Sequence, residues 1–137
     1  MTQKQISPNT AQYDIRVQLR ERVATEAVEA YGTYLSRGDF KRAAYIAEEH
    51  KLGKVQMQVA AGRVYEANFS IGDFGMAARI AKEYELGRKK ELEAAQRAYE
   101  ICLSKGDFKS AADVATNHEL GEDIVKDTYA LESLIRA

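Results

Sequence analysis

Residues 34–43 read Tyr34-Leu35-Ser36-Arg37-Gly38-Asp39-Phe40-Lys41-Arg42-Ala43, and the triplet at their centre, Gly38-Asp39-Phe40, decides the fold. It returns as Gly72-Asp73-Phe74 and as Gly106-Asp107-Phe108, 34 residues apart each time. Leu-Gly keeps the same interval, at Leu52-Gly53, Leu86-Gly87 and Leu120-Gly121. A fixed interval of this length marks a chain built from stacked helical hairpins.

Working outward from the triplet, Ala27, Ala30, Tyr31, Tyr34 and Leu35 fall on one face of an α-helix. Their copies are Ala61, Val64, Tyr65, Asn68 and Phe69, then Ala95, Ala98, Tyr99, Cys102 and Leu103. After the triplet a shorter stripe follows: Phe40, Ala43, Ala44 and Ala47, repeated as Phe74, Ala77, Ala78, Ala81 and as Phe108, Ala111, Ala112, Ala115. Each unit is therefore a longer first helix, a tight turn and a shorter second helix. Gly38 can adopt φ > 0 and end the first helix. Asp39 can accept from the free N–H groups opening the second. Gly53 is expected to end the second helix as Gly38 ends the first. Arg88, Lys89 and Lys90 follow Gly87 and suit the negative end of the helix before them.

The expected map is seven helices, at 10–37, 39–51, 54–71, 73–85, 88–105, 107–119 and 122–136. Residues 1–10 are polar and hold the only proline, Pro8. They read as a flexible arm before a helical domain over 11–137, with Asn9 or Thr10 capping the first helix. The repeats are 20–53, 54–87 and 88–121. The last helix, 122–136, carries Ile124, Thr128, Leu131 and Ile135 on one side, with Tyr129 and Leu134 beside it. It reads as a cap over the open end, and Glu132 with Arg136 as an i,i+4 pair on its wet side. The fold class is all-α: three antiparallel helix-pair repeats in an α-solenoid, closed by a C-terminal capping helix.

Bulk properties exclude several classes. The 20 basic and 21 acidic residues are well mixed, so the basic excess of a nucleic-acid or membrane-surface protein is missing. One cysteine, Cys102, permits no internal disulfide and fits a reducing compartment. No apolar run approaches the roughly 20 residues that span a bilayer. The opening residues lack the apolar core of a secretory signal, so the expected address is cytoplasmic.

The quoted stretch resembles the middle of a tetratricopeptide repeat, which shares the Gly-Asp-aromatic turn, the alanine three residues after the aromatic and the 34-residue length. The resemblance covers residues 20–121, with a partial fourth unit after them. It implies a right-handed superhelix of helix pairs that binds a peptide or protein segment in its concave groove. The chain departs from the pattern: Ala27, Ala61 and Ala95 stand at the family's tryptophan position, and Tyr31, Tyr65 and Tyr99 at its small residue. Large and small residues have exchanged places, which a core tolerates if volume and patterning are kept. A pentatricopeptide reading fits worse, because the interval is one residue short and the basic surface for RNA is missing.

No constellation suggests catalysis. His50 and His118 occupy equivalent places two repeats apart, ~20 Å if helix layers stack at roughly 10 Å, too far to share a metal. Both read as packing positions. Cys102 lies in the interior stripe of a first helix, a place for an inert thiol. Asp39, Asp73 and Asp107 have sufficient work as caps, and Ser36, Ser70 and Ser104 recur too regularly for a nucleophile. The tyrosine ladder reads as core, with hydroxyls that need partners. Neither a cofactor nor a metal is expected, and the protein reads as a non-enzyme.

The candidate partner surface rests on Gly32 and Gly62, placed inside first helices where glycine costs about 1 kcal/mol against alanine. In the register implied by the resemblance both fall on the groove face. Val28, Leu35, Val59 and Phe69 would border an apolar hollow there, and Arg63, Glu66, Arg97 and Glu100 would rim it. The leading expectation is a protein- or peptide-binding interaction module or adaptor. Its rival is a structural homo-oligomer whose groove face is covered by its own arm or another copy. A nucleic-acid adaptor is a weaker alternative.

Overall fold

The computed structural model describes residues 8–136. Among these the chain forms seven helices and no strand: α1 (Pro8–Ser36), α2 (Phe40–Glu49), α3 (Lys54–Ser70), α4 (Phe74–Glu83), α5 (Arg88–Ser104), α6 (Phe108–Asn117) and α7 (Glu122–Arg136). The substantial packing is between helices consecutive in the chain, from α1 on α2 through to α6 on α7. Most of the expected arm, residues 1–10, lies outside the described residues. Pro8, Asn9 and Thr10 already belong to α1, so the helix opens on the proline and neither Asn9 nor Thr10 caps it. A proline suits the first helical position, where its missing N–H would have no partner anyway.

The Gly-Asp turn joins two helices with almost no linker. Gly38 takes φ 76° and donates its N–H to the Leu35 carbonyl at 3.1 Å, and Asp39 N–H reaches Tyr34 O at 2.9 Å. These two bonds satisfy the last carbonyls of α1. The same aspartate then opens α2, its Oδ1 accepting from Arg42 N–H at 3.3 Å. Asp73 does this for Met76 at 3.2 Å and Asp107 for Ser110 at 3.1 Å. The hydrogen bonds from Ser110 hold the Asp107 carboxyl below the ordinary carboxylate range.

The Leu-Gly turn works differently from the expectation. Gly53 does not end α2. The left-handed residue there is Lys51 (φ 51°), matched by Glu85 (φ 53°) and Glu119 (φ 51°). Leu52 N–H closes the turn onto Ala47 O at 3.0 Å, and the Leu52 side chain packs on the core. Gly53, at φ 124° and ψ 151°, is instead the residue that opens α3. Only glycine enters that backbone region without strain, so the glycine is still required, one element later.

Alanine makes the core. Ala43, Ala44 and Ala47 of α2, with their copies in α4 and α6, are 0–2% exposed, as are Ala60, Ala61, Ala94 and Ala95 of the first helices. Small side chains let the helices approach closely, and the larger volume comes from Tyr31 and Tyr65, both buried. The tyrosine hydroxyls join consecutive first helices. Tyr31 donates to the Gln56 carbonyl at 2.6 Å and Tyr65 to the Lys90 carbonyl at 2.9 Å. Tyr99 meets Thr128 Oγ1 at 2.7 Å, and Thr128 in turn donates to Ile124 O at 2.6 Å. α7 thus occupies the place of a fourth first helix, with a hydroxyl inserted where the other seams have none.

The two ends differ from the interior. α1 has 29 residues against 17 in α3, and its additional turns carry Ile15, Leu19 and Val23, all exposed and spaced by four. α7 covers α6 through Thr128 and the half-buried Val125. Ile124, Leu131 and Ile135, expected to lie with Thr128 on the covered side, remain exposed. The reason is rotational: Val125, Thr128 and Glu132 centre the inward stripe, which leaves those three at its margin. Glu132 consequently lies half-buried rather than on the wet side, bonded to Arg136 at 3.0 Å. Tyr129 holds the position of Ala61 and Ala95, which touch the second helix of their own pair. No further helix follows α7 among the described residues, and the larger side chain fills part of that space.

Candidate functional site

The candidate surface is the face of the first helices turned away from the alanine core. Val28 is 59% and Val59 52% exposed. Gly32 is exposed and Gly62 half-buried, and a Cβ added to either would meet nothing within 4 Å. Neither glycine has a positive φ. The fold therefore gives no reason for glycine at either place.

The remaining candidate residues divide by depth. Leu35 and Phe69 are half-buried and pack on the two core clusters, so they form floor rather than free lining. Phe69 stacks on Tyr65 with ring centres 5.7 Å apart and meets the edge of Phe74 at 4.9 Å. Arg97 lies across Phe69 and Phe74, its guanidinium 5.4 and 5.5 Å from the two ring centres. Arg63, its equivalent one repeat earlier, lies 5.8 Å over Phe40 and 3.9 Å from the Glu66 carboxylate. A cation over a ring is held by the ring's quadrupole, so both arginines are turned toward the aromatic floor. Glu100 stays exposed and, among the described residues, enters no ion pair.

Between α3 and α5 these residues enclose a shallow hollow lined by Tyr65, Glu66, Phe69, Ser70, Lys90 and Glu93. Lys90 rests 5.5 Å over the Tyr65 ring. Burial, with the Glu93 charge nearby, raises the Tyr65 phenol above its ordinary value. The sequence reading missed Lys90 and Glu93 here, along with Leu131 and Leu134 on α7. All four stand at positions equivalent to residues it had chosen, so comparing the copies across the whole first-helix face would have revealed them.

The histidines do not come together. His50 is exposed, whereas His118 is buried and meets Glu91 through Nδ1 at 2.8 Å. Arg88 reaches the other Glu91 oxygen at 3.1 Å and donates to Glu119 O at 2.8 Å. This corrects two expectations: His118 is an ion-pair partner rather than a packing residue, and Arg88 serves the end of α6 rather than that of α4. Burial alone would raise the Glu91 carboxyl, but hydrogen bonds from His118 and Arg88 outweigh it and hold it below its ordinary value. In the copy before, Met57 and Tyr84 hold these two positions, and burial near Glu48 and Glu83 pushes the Tyr84 phenol up to about 12. Cys102 is half-buried, and desolvation raises its thiol, a setting for a protonated sulfur. Among the described residues no three His, Cys, Asp or Glu side chains converge as a metal site would need, and no helix is long and apolar enough to cross a membrane.

Comparison with protein families, with curated proteins and with solved structures finds no match.

Proposed function

We propose that the chain is an α-solenoid of three tetratricopeptide-like helix pairs closed by α7, and that it acts as a non-catalytic module holding a peptide or protein segment along its first-helix face. The observation that carries the reading is the pair of glycines. Each costs its helix about 1 kcal/mol, and nothing in the chain occupies the space they leave. Close approach by another backbone would account for both. Packing confined to consecutive helices supports the solenoid, whose units contact only their neighbours.

A homo-oligomer is the second reading, and the exposed Ile15, Leu19 and Val23 on the long α1 favour it. Light scattering across a concentration series separates the two. Mass that rises with concentration supports the oligomer, and constant monomer mass supports the module. The module is then tested with Gly32→Leu and Gly62→Leu. Both variants should melt no lower than the wild type and should lose a bound partner that the wild type retains on a column. Unfolding of either variant would place its glycine toward the core, and undiminished capture would remove this face from the function.

A further inference from the structure

The seams between consecutive first helices are built from equivalent positions, so their charges can be compared directly. At α3–α5, Glu66 and Glu93 face two cations, Lys90 and Arg97, each held against a ring. At α1–α3 the carboxylate positions hold Gly32 and Val59, and the cation positions hold Gln56 and Arg63. At α5–α7 the carboxylate positions hold Glu100 and Asp127, while both cation positions have become aliphatic, Ile124 and Leu131. The face therefore runs from one net positive charge, through balance, to two carboxylates with no cation beside them.

Glu100 and Asp127 are both exposed, and neither joins an ion pair among the described residues. Beside them Ile124, Leu131 and Leu134 are 39%, 41% and 72% exposed. Solubility alone would place polar groups at those positions. Carboxylates bordered by bare aliphatic surface complement a side chain that has an apolar stem and a cationic head.

We propose that the segment held on this face places a lysine or arginine at the α5–α7 seam, its head between Glu100 and Asp127 and its stem on Ile124 and Leu131, with uncharged aliphatic residues crossing Gly32, Val59 and Gly62. The inference rests on the first-helix face being the docking surface and adds the chemistry and direction of its occupant. First helices one repeat apart are separated by about 10 Å, so the two end seams lie about 20 Å apart, roughly six residues of extended chain. An acidic segment or a nucleic-acid backbone would be repelled at the α5–α7 end.

The test uses the full chain and two labelled peptides of roughly nine residues, long enough to cross the face. One alternates leucine with lysine, and the other carries glutamate in place of lysine. Fluorescence anisotropy at low salt should show binding of the lysine peptide alone. The double variant Glu100→Gln, Asp127→Asn should weaken it roughly tenfold, as expected for two charge contacts of under 1 kcal/mol each. The control Glu83→Gln, Asp113→Asn changes net charge equally on the second helices and should leave binding unaltered. Equal weakening by both double variants would reduce the effect to net charge and overturn the proposal. Binding of the glutamate peptide as tightly as the lysine peptide would also overturn it. Should Gly62→Leu abolish binding while the Glu100, Asp127 variant does not, the docking surface stands and only its charge assignment falls. Self-association of the wild type that the same variant abolishes would make a second copy the occupant and overturn the peptide assignment. Absence of binding by either peptide would count against both readings.

Discussion

Thr128 offers a test in which the smaller change in size should cause the larger loss. Its side chain is 1% exposed and its hydroxyl sits between Tyr99 OH and the Ile124 carbonyl. Valine keeps the volume and removes the hydroxyl. Tyr99 then faces a methyl group, and its phenol, half-buried, loses its partner. Leaving such a group unpaired costs about 1–2 kcal/mol. Alanine removes more atoms, but it restores the arrangement of the other seams. Ala60 and Ala94 stand at this position there, and Tyr31 and Tyr65 bond directly to the carbonyl four residues before them. In Thr128→Ala the Tyr99 hydroxyl is placed to reach Ile124 O, and the expected loss is below about 1 kcal/mol. Urea unfolding followed by circular dichroism at constant slope measures both variants. Thr128→Val should have the lower midpoint. If Thr128→Ala is the less stable of the two, volume rather than the hydroxyl relay holds α7, and the equivalence of the three seams is wrong.

Replacing Asp73 by alanine should cost about 1 kcal/mol, the usual loss for a helix cap, because Met76 N–H then has no acceptor; an unchanged urea midpoint would show that the motif is kept for another purpose. Glu91 has a depressed folded-state value against an ordinary 4.5, so its contribution is complete above that value and is lost as pH falls through the folded one. Glu91→Gln should therefore be less stable near neutrality and lose less stability than the wild type on acidification to about pH 3. Parallel loss in the two proteins would show that this carboxylate does not carry the acid sensitivity. Removing residues 122–137 uncovers α6 and leaves Tyr99 without Thr128, and the truncated chain should dimerise or aggregate in size-exclusion chromatography; a monomer of unchanged stability would show that α7 is dispensable.

Much of this architecture was legible because its signals are local. The Gly-Asp turns, the alanine stripes and the helix order follow from spacing that a single helical turn imposes. The Leu-Gly turn misled for an equally local reason. Glycine is the usual left-handed residue after a helix, and here that conformation falls on Lys51, Glu85 and Glu119. The partners of the tyrosines were illegible, since the acceptor is a backbone carbonyl 25 residues ahead that carries no side-chain signature. The Glu91–His118 pair was hidden because His118 shares its position with His50 and Tyr84, which lack that partner. A sign existed in the copies, where Glu91 stands at the position of Met57. At the candidate face the glycines were visible as anomalies. The way arginines fold onto Phe40, Phe69 and Phe74 was not, because it depends on which repeat supplies the ring.

The doubly employed aspartate constrains how such a chain can change in length. Asp39 N–H closes α1 while its carboxylate opens α2, so the turn contains no residue without a task. Losing or gaining one residue there would detach one of the two helix ends. It would also rotate everything downstream by about 100°, since the helical period is 3.6 residues. Loss or gain of a whole 34-residue block disturbs no turn and preserves the 25-residue reach of each tyrosine. Viable length variants of this molecule are accordingly quantised: they differ by complete blocks, at the cut points Gly53, Gly87 and Gly121, or by what is appended beyond the two ends.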